Sequence, residues 1–563
     1  MLLIGDIIRR EARIRGNKVA VIDGDTEYNY KEVNRRANKL ANALLEMGID
    51  KGDKIAFMGN NSHQFMEFYF AAAKTGAIAV PINARFSSEE ASYVLGNAEA
   101  ILLIYSQELD EIVREVRTTA PGVKQYISTG NAAGDEFSYE ELISHASDEE
   151  PLNTVTSDDM AMIMFTSGAT GFPRGVISTH RNIMANTNTM CLELDLVPED
   201  ISLLAMPLFH LGGLWPMLSM VYRGGTTVLM PRFELESMFD IIQRRKITFI
   251  NLVPTVLGRI ISRPDISSRD LKSVRLIMYA GAPIPREQLK AAMEILGPHR
   301  FTTGLGATEA NGALLHFRAS EHSLEGPMAG KLGSVGKDAM GVEISIVDPE
   351  GREVPNGQVG EIIGRGDNIA RSYWKLPGES SETFRDGWLY TGDMGYRDRD
   401  GYIFIVDRKK DIIISGGENV SSREVEEVLY QHPAVYEAAV VGVPDKEWGE
   451  SVKAAISLKS GFSGKVDETE LMEFCAARLA RYKKPRSIDF LDELPKNAAN
   501  KIDKSVLKRH YRELHGNDQS GIEGNPCRRL IDPHGNIGLP GKGDVRSSLN
   551  LKISGDKSHG GGQ

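Results

Sequence analysis

Short apolar segments that alternate with amphipathic ones run through the first 165 residues, and this alternation most constrains the fold. Residues 19–22, 54–58 and 77–82 read as strands, and residues 33–44 carry apolar side chains at helical spacing. Strands that alternate with helices over a short period are typical of a parallel sheet covered by helices on both faces. We therefore predict an α/β fold.

Composition limits the function classes. A chain of 563 residues is long enough for roughly two to four domains. The net charge of −11 argues against a nucleic-acid partner, and without an apolar run near 18 residues we predict no membrane span, while peripheral membrane contact stays open. Three distant cysteines (Cys191, Cys475 and Cys527) suit neither a disulfide framework nor a metal site. We predict a cytoplasmic protein, with its oligomeric state open.

A glycine-rich stretch, FTSGATGFPRG at residues 165–175, follows the short apolar strand predicted at residues 160–165. Without β-carbons, Gly168 and Gly171 let the backbone turn tightly and point successive N–H groups at an anion. The Arg174 guanidinium can neutralise phosphate charge. Taken alone, the stretch would more often be an ordinary surface turn than a phosphate loop.

Four more motifs follow in the chain: GLGATE at 304–309, YTGD at 390–393, DRKKDIIISGGENV at 407–420 and PKNAANK at 495–501. Together with the glycine-rich stretch they resemble, in order, the motifs of the adenylate-forming superfamily, whose phosphate loop usually reads Y/F-T-S-G-S/T-T-G-x-P-K-G. The resemblance extends over roughly residues 1–510. It is strongest to AMP-forming acyl-CoA synthetases of the fatty-acid–CoA ligase type.

The resemblance implies a domain organisation. A large N-terminal domain of parallel and mixed sheets with helices, including a small β-rich subdomain, would span residues 1–408. A hinge at 409–411 would join it to a small mobile α+β lid domain at 412–510. The glycine-rich residues 511–563 match nothing in the family and are predicted to form a disordered tail.

The resemblance also implies roles for individual residues. The catalytic residues would be Lys501, Glu309, Thr308 and Arg174, with Glu309 holding Mg²⁺. The ATP/AMP site would consist of Thr166, Ser167, Gly168, Ala169, Thr170, Gly171, Gly281, Ala282, Pro283, Gly304, Leu305, Gly306, Asp393 and Arg408. Ser415, Gly416 and Gly417 would bind coenzyme A, and Lys410 would be the hinge residue. His210 and Trp215 would line the acyl pocket, although His210 is equally expected as a core residue and Trp215 is more often expected as one.

Several positions depart from the family pattern. Arg174 stands where lysine is usual, Ala169 replaces a hydroxyl residue, and Leu305 replaces a tyrosine that could stack on adenine. Ser421 and Ser422 replace a tyrosine and a proline. These changes keep open the alternative of an inactive nucleotide-binding homologue.

The expected reaction uses ATP, Mg²⁺ and coenzyme A as a cosubstrate. A carboxylic acid would attack ATP to give an acyl adenylate and pyrophosphate, and a thiol would then release AMP. We predict a medium- or long-chain fatty acid, because Gly212, Gly213, Gly281 and Gly304 could leave an open apolar tunnel. An aryl or alicyclic acid, or a carrier protein in place of coenzyme A, remains an alternative.

Overall fold

Two seven-stranded sheets form the body of the protein. The computed structural model describes residues 2–132, 134–152, 154–166, 173–282, 284–496 and 501–517, with side chains up to residue 514. The first fourteen strands are β1 Val19–Asp23, β2 Thr26–Asn29, β3 Lys54–Met58, β4 Ile78–Ile82, β5 Ala100–Tyr105, β6 Gln125–Ser128, β7 Phe137–Ser138, β8 Met160–Thr166, β9 Arg174–Thr179, β10 Ile201–Leu204, β11 Thr226–Leu229, β12 Phe249–Leu252, β13 Leu276–Tyr279 and β14 Phe301–Thr302.

Both large sheets are mostly parallel. The first has the strand order β14-β13-β12-β10-β11-β1-β2, and the second has the order β7-β6-β5-β3-β4-β8-β9. Among the pairings of the described strands in these two sheets, β1–β2 and β8–β9 run antiparallel and the others run parallel. The alternation of strands and helices in the sequence therefore predicted the correct fold class.

Helices cover and separate the sheets. They are α1 Ile4–Arg15, α2 Tyr30–Glu46, α3 His63–Thr75, α4 Ser88–Ala98, α5 Asp110–Thr119, α6 Tyr139–His145, α7 His180–Glu193, α8 Leu211–Arg223, α9 Leu235–Arg245, α10 Pro254–Ile261, α11 Arg286–Leu296, α12 Gly326–Ala329, α13 Pro377–Thr383, α14 Ser422–Leu429, α15 Glu468–Ala476 and α16 Lys504–Asn517. None of the helices in the described ranges has the length and apolarity needed to cross a bilayer.

Helix α2 shows how the sequence specifies these elements. The Asn29 side chain accepts a hydrogen bond from the Glu32 N–H, and the Glu32 carboxylate accepts one from the Asn29 N–H, which closes a capping box. The predicted apolar face, including Leu40 and Leu44, is fully buried. This face joins a core that contains Val21 from the first sheet and residues from the second, so α2 lies between the two sheets.

The remaining strands form smaller sheets. They are β15 Gly306–Ala307, β16 Gly312–Ala313, β17 Leu315–His316, β18 Lys337–Asp338, β19 Val342–Val347, β20 Gly360–Gly366, β21 Phe384–Arg385, β22 Trp388–Arg397, β23 Ile403–Arg408, β24 Ile413–Ser415, β25 Glu418–Val420, β26 Val435–Asp445, β27 Gly449–Leu458 and β28 Ser487–Phe490. An antiparallel sheet β19-β20-β22-β21, with β23 beside β22, is the predicted β-rich subdomain. A further sheet, β25-β24-β27-β26 with β28 beside β27, packs on α14 and α15 around a core of its own.

The C-terminal boundary differs from the prediction. Residues Met1–Tyr511 form one compact unit, and the predicted hinge at 409–411 lies within it and stays a prediction. The predicted tail began at residue 511, but α16 continues to Asn517 and Tyr511 is buried. Tyr511 follows Leu507 by one helical turn, and the Lys453 Nζ lies 4.8 Å from its ring centroid, so this turn belongs to the folded unit. The rest of the predicted tail, residues 518–563, lies outside the described residues.

Candidate active site

The two edge strands β8 and β9 flank the predicted phosphate loop. Thr166, the last residue of β8, pairs with Arg174, the first residue of β9. The predicted site residues Ser167, Gly168, Ala169, Thr170 and Gly171 lie outside the described residues, as does Pro283. The flanking strands bring both ends of the loop to the edge of the second sheet.

Arg174 contacts two side chains from the segment that follows residue 370. Its Nη1 donates a hydrogen bond to the Glu379 Oε2 at 2.9 Å, and its Cζ lies 4.6 Å from the centroid of the Tyr373 ring. Partial burial alone would lower the pKa of Arg174, but the hydrogen bond to Glu379 and the nearby Glu309 charge outweigh it and raise the pKa. The guanidinium therefore stays charged at the phosphate-loop edge.

Thr308 and Glu309 lie on a 3₁₀ turn that directly follows β15. The Tyr373 O–H donates a hydrogen bond to the Glu309 Oε1 at 2.7 Å, and the Ala370 N–H donates to the Glu309 carbonyl oxygen at 2.8 Å. Burial, together with the Glu309 charge, raises the pKa of Tyr373, so the phenol remains a neutral donor. Two contacts thus fix the position and the orientation of this carboxylate.

Glu309 suits the Mg²⁺ that the family resemblance implies. Magnesium in nucleotide sites is usually bound by one or two carboxylates together with phosphate oxygens. The described residues contain no group of three or more His, Cys, Asp or Glu side chains that could hold a metal ion without a substrate. A single fixed carboxylate beside a phosphate-binding edge fits a metal that arrives with its nucleotide.

Asp393 and Arg408 are direct cross-strand partners on β22 and β23. The Arg408 Nε lies 3.1 Å from the Asp393 Oδ1. Burial raises the pKa of Asp393, and the Arg408 charge opposes this increase. The pair offers a carboxylate acceptor beside an exposed guanidinium, the arrangement predicted for ribose and phosphate contacts.

Lys501 lies against Gly281, which follows β13. A β-carbon built on Gly281 would lie 2.7 Å from both Cε and Nζ of Lys501, and Gly281 has a φ of +90° that most other residues avoid. Burial, assisted by the Arg408 charge, lowers the pKa of Lys501 to about 8. The structure thus brings Lys501 and Arg408, from two of the five sequence motifs, together with Gly281, a predicted adenine-site residue outside those motifs.

His210 and Trp215 occupy different environments. His210 caps the N-terminus of α8, and burial together with the Lys501 charge lowers its pKa to about 4. Its Nε2 atom is buried and finds no hydrogen-bond partner within the described ranges. Trp215 packs in the hydrophobic core, with its ring centroid 6.2 Å from that of Phe249. His210 therefore faces the Lys501 region, whereas Trp215 makes the contacts of a core residue.

The glycines that suggested an open acyl tunnel have other structural reasons. A β-carbon on Gly213 would lie 2.2 Å from the Pro207 carbonyl oxygen, and one on Gly304 would lie 2.2 Å from the Leu315 carbonyl oxygen. Backbone packs against both positions, and Lys501 fills the space at Gly281. Because these positions are occupied, the tunnel argument for a fatty acid is not supported.

The remaining predicted positions lie in a loop and at the start of a short strand. Ala282 is half-buried beside Gly281, and Gly306 begins β15, where a β-carbon would lie 2.7 Å from the Gly312 carbonyl oxygen. Leu305 packs, half-buried, against the core under the β-rich sheet, so this side chain contributes to packing.

The predicted coenzyme A residues form the tip of the β24–β25 hairpin. Ser415 pairs with Glu418, and the two loop residues Gly416 and Gly417 have φ values of +61° and +84°. Positive φ at both loop residues is the pattern of a type I′ turn, which favours glycine. A β-carbon on Gly416 would lie 2.5 Å from the Trp448 ring, so this glycine also permits a close contact.

The predicted hinge residue Lys410 lies between β23 and β24, and its carbonyl oxygen accepts a hydrogen bond from the Lys508 Nζ at 3.0 Å.

Sequence reasoning missed a buried polar cluster that lies beside this segment. The Asp407 Oδ2 accepts hydrogen bonds from the Ser422 N–H at 2.6 Å and from the Ser422 hydroxyl at 2.9 Å. The Lys504 Nζ in turn donates to the Ser422 Oγ at 2.7 Å. The departure of Ser422 from the family proline was the available signal, because proline has no N–H to donate.

Tyr373 and Glu379 were also missed. Neither residue belongs to one of the five motifs, and Tyr373 is 64 residues from Glu309 in the chain. No local pattern identifies such a contact.

Comparisons with known proteins agree with this geometry. The family model described as AMP-binding enzyme matches residues 8–374, and the model described as AMP-binding enzyme C-terminal domain matches residues 424–501. Feruloyl-CoA synthase from Amycolatopsis sp is 36% identical over 504 residues, which cover 89% of this chain and 98% of that protein. The long-chain-fatty-acid–CoA ligase FadD13 from Mycobacterium tuberculosis is 34% identical over 517 residues, covering 90% and 98%. The crystal structure of the anthranilate CoA ligase AuaEII in complex with anthranoyl-AMP superposes with a TM-score of 0.85 at 30% identity, covering 92% of this chain and 98% of that one.

Proposed function

Because this chain belongs to the AMP-binding enzyme family of adenylate-forming acid–CoA ligases, we propose that it joins a carboxylic acid to coenzyme A through two half-reactions at one site. The superfamily and the enzyme class expected from the five motifs are confirmed. The observation that carries the proposal is the half-buried Lys501 side chain beside Gly281 and the Asp393–Arg408 pair. This arrangement supports a site that concentrates positive charge around a nucleotide.

The first half-reaction joins two anions. A carboxylate oxygen of the acid attacks the α-phosphorus of ATP, the bond to the β-phosphate breaks, and pyrophosphate leaves. Lys501 bridges the incoming carboxylate and the α-phosphate, Arg174 holds the outer phosphates, and Asp393 with Arg408 orients the ribose. Fixed charges of this kind stabilise the transition state without reorganising during the reaction.

Glu309 would hold a Mg²⁺ that enters with ATP, and Thr308 would contact a phosphate. When bound, Mg²⁺ neutralises phosphate charge and orients the triphosphate. The hydrogen bond from Tyr373 keeps the Glu309 carboxylate turned toward that position.

The second half-reaction transfers the acyl group to a thiol. The thiolate of coenzyme A attacks the carbonyl carbon of the acyl adenylate, and AMP leaves. We propose that residues 412–510 turn about Lys410 between the steps, which withdraws Lys501 and brings Ser415, Gly416 and Gly417 toward the thiol arm. The proposed boundaries are 1–408 for the large domain and 409–411 for the hinge.

The acid is proposed from two relatives with different names. FadD13 supports the medium- or long-chain fatty acid of the sequence prediction, whereas feruloyl-CoA synthase supports an aryl acid. The close packing at Gly213 and Gly304 removes the tunnel argument that had favoured the fatty acid. Both acid classes therefore belong in one assay.

The test is a pyrophosphate-release screen with ATP, Mg²⁺, coenzyme A and a panel that includes ferulate, anthranilate and fatty acids of graded length. We expect at least one acid to give AMP and a coenzyme A thioester. ATP binding without adenylate formation across the panel would favour the inactive homologue. A thioester that forms only on added carrier protein would favour that acceptor over coenzyme A.

The lysine provides a sharper version of the test. Lys501→Ala should reduce pyrophosphate release by roughly 10²- to 10³-fold, because it removes one preorganised charge contact. The variant should still convert a supplied acyl adenylate and coenzyme A into thioester. Equal damage to both half-reactions would contradict a role restricted to adenylation.

A further inference from the structure

The Tyr373 side chain connects two groups of opposite charge. Its O–H donates to the Glu309 Oε1 at 2.7 Å, and the Arg174 Cζ lies 4.6 Å from the centroid of its ring. Tyr373 is only 4% exposed, so the ring is held firmly in this position. One aromatic side chain thus contacts both the cation proposed for phosphate and the carboxylate proposed for magnesium.

Arg174 and Glu309 could otherwise neutralise each other. A guanidinium and a carboxylate within reach tend to form a two-pronged ion pair, and such a pair would compete with phosphate and with metal. In the structure each group has a different partner: Arg174 donates to Glu379 at 2.9 Å, and Glu309 accepts from Tyr373. The ring face also attracts the guanidinium, since a cation over an aromatic ring is favourable.

The backbone holds this arrangement from both sides. Val176 on β9 forms a bridge with Tyr373, and the Trp374 N–H donates to the Gly175 carbonyl oxygen at 2.7 Å. The Tyr373 N–H donates to the Ser380 Oγ at 2.9 Å, and Ser380 lies next to Glu379 on α13. The same short segment therefore fixes the ring and the second carboxylate.

One donor of the Arg174 guanidinium has no partner in the described part of the chain. Its Nε atom is buried and has no hydrogen-bond partner among the described residues, although Nη1 is engaged by Glu379. A lysine at this position would have neither the planar face that lies on the ring nor the additional donors. The arginine is therefore matched to its two neighbours.

We propose that Tyr373 and Glu379 are positioning residues of the adenylation step that keep Arg174 and Glu309 apart and available for the triphosphate and its magnesium. Glu379 holds the guanidinium on the ring, and Tyr373 orients the Glu309 carboxylate. The inference rests on the proposed function, because it assigns ATP and Mg²⁺ as the ligands of these two groups.

The experiment measures ATP binding by calorimetry in EDTA and again in excess Mg²⁺, without acid or coenzyme A. Tyr373→Phe keeps the ring and removes the O–H, so affinity in EDTA should match the parent while the gain from Mg²⁺ falls roughly 10-fold or more. Glu379→Gln releases Arg174 toward Glu309, so both the affinity in EDTA and the gain from Mg²⁺ should fall. Glu382→Gln is the matched control, because it converts an exposed carboxylate on the same helix into a carboxamide. This variant should bind ATP like the parent.

The outcomes distinguish a failure of the proposed function from a failure of the positioning role. If the parent protein fails to bind ATP with Mg²⁺, the proposed function itself fails. If the parent binds and Glu379→Gln binds ATP more tightly, Glu379 merely competes with phosphate and the positioning role is overturned. If Mg²⁺ increases the ATP affinity of Tyr373→Phe as much as that of the parent, the positioning role is likewise overturned. Glu379 is half-buried, so the Glu379→Gln variant remains informative even if Tyr373→Phe folds poorly.

Discussion

The Lys501 side chain occupies the space that a β-carbon would need at Gly281, with Cε and Nζ both 2.7 Å from that position. The two residues are 220 positions apart in the chain, and only Lys501 lies in one of the five motifs. A glycine in one part of the chain is therefore the condition under which a lysine from another part can enter the site.

This contact predicts the effect of Gly281→Ala. The new methyl group should displace the Lys501 ammonium, so pyrophosphate release should fall at least 10-fold while a supplied acyl adenylate is still converted to thioester. The alanine also incurs strain at a φ of +90°. Gly357→Ala is the matched control, because Gly357 has a φ of +87° with nothing within 4 Å of the added carbon. If both variants lose adenylation equally, backbone strain rather than the lysine contact explains the loss.

The lowered pKa of Lys501 predicts a pH dependence. Burial, with the Arg408 charge, lowers this pKa to about 8, so the ammonium of the free enzyme loses its proton as the pH rises through 8. The kcat/KM for ATP in pyrophosphate release should therefore decline above about pH 8, since this parameter reports the free enzyme. Lys501→Arg remains charged throughout and should not show that decline, whatever its absolute rate. The same decline in both proteins would assign it to another group.

The proposed hinge predicts that proline at residue 410 impairs the thioester step and that alanine there does not. Lys410→Pro fixes φ at the pivot, so acyl adenylate should accumulate while thioester formation slows. Lys410→Ala leaves the backbone free to turn and should retain both half-reactions. Rapid-quench measurement of adenylate and thioester distinguishes them, and normal thioester formation by the proline variant would place the pivot elsewhere.

The cluster around Ser422 predicts a stability effect. Ser422→Ala removes the buried hydroxyl that joins Lys504 to Asp407, and it should lower the free energy of unfolding by about 1–3 kcal/mol. Ser381→Ala removes an exposed hydroxyl on α13 and should change this free energy by less than about 0.5 kcal/mol. Urea unfolding of both variants provides the comparison, and equal values would show that the cluster contributes nothing beyond an ordinary surface serine.

The course of α16 predicts where the chain can be shortened. Truncation after Asn517 should leave Tm and turnover close to the parent values, because residues 518–563 are glycine-rich and lack apolar periodicity. Truncation after His510 should lower Tm clearly, since it removes the buried Tyr511 beside Lys453. A large loss of Tm from the longer product would mean that residues 518–563 contribute to the fold.

Local patterns in the sequence predicted those features of the fold that depend on nearby residues. The apolar face of α2 follows from the helical spacing of its apolar residues. The motif order also indicated Lys501, Asp393 and Arg408, which the fold brings near one another. Their roles as catalytic and ribose-binding residues stay predictions.

Contacts between distant segments were beyond such patterns. The Tyr373–Glu309 hydrogen bond and the Arg174–Glu379 ion pair join residues separated by 64 and 205 positions, and neither partner from the 373–379 segment lies in a recognised motif. The argument for an acyl tunnel also lost its support in the structure. A glycine in the sequence does not reveal whether its empty side is solvent, backbone or, as at Gly281, a lysine.

Two adjacent residues of strand β23, Asp407 and Arg408, lie on opposite faces of the strand. Arg408 lies 3.1 Å from Asp393 on the side of the proposed nucleotide site, whereas the adjacent Asp407 accepts the N–H at the start of α14. A ligand that draws on Arg408 and a helix that docks on Asp407 therefore act on the same stretch of backbone. Coupling between two equilibria is reciprocal. If ATP binding stabilises the docking of α14, the docking of α14 must therefore increase the affinity for ATP by the same factor.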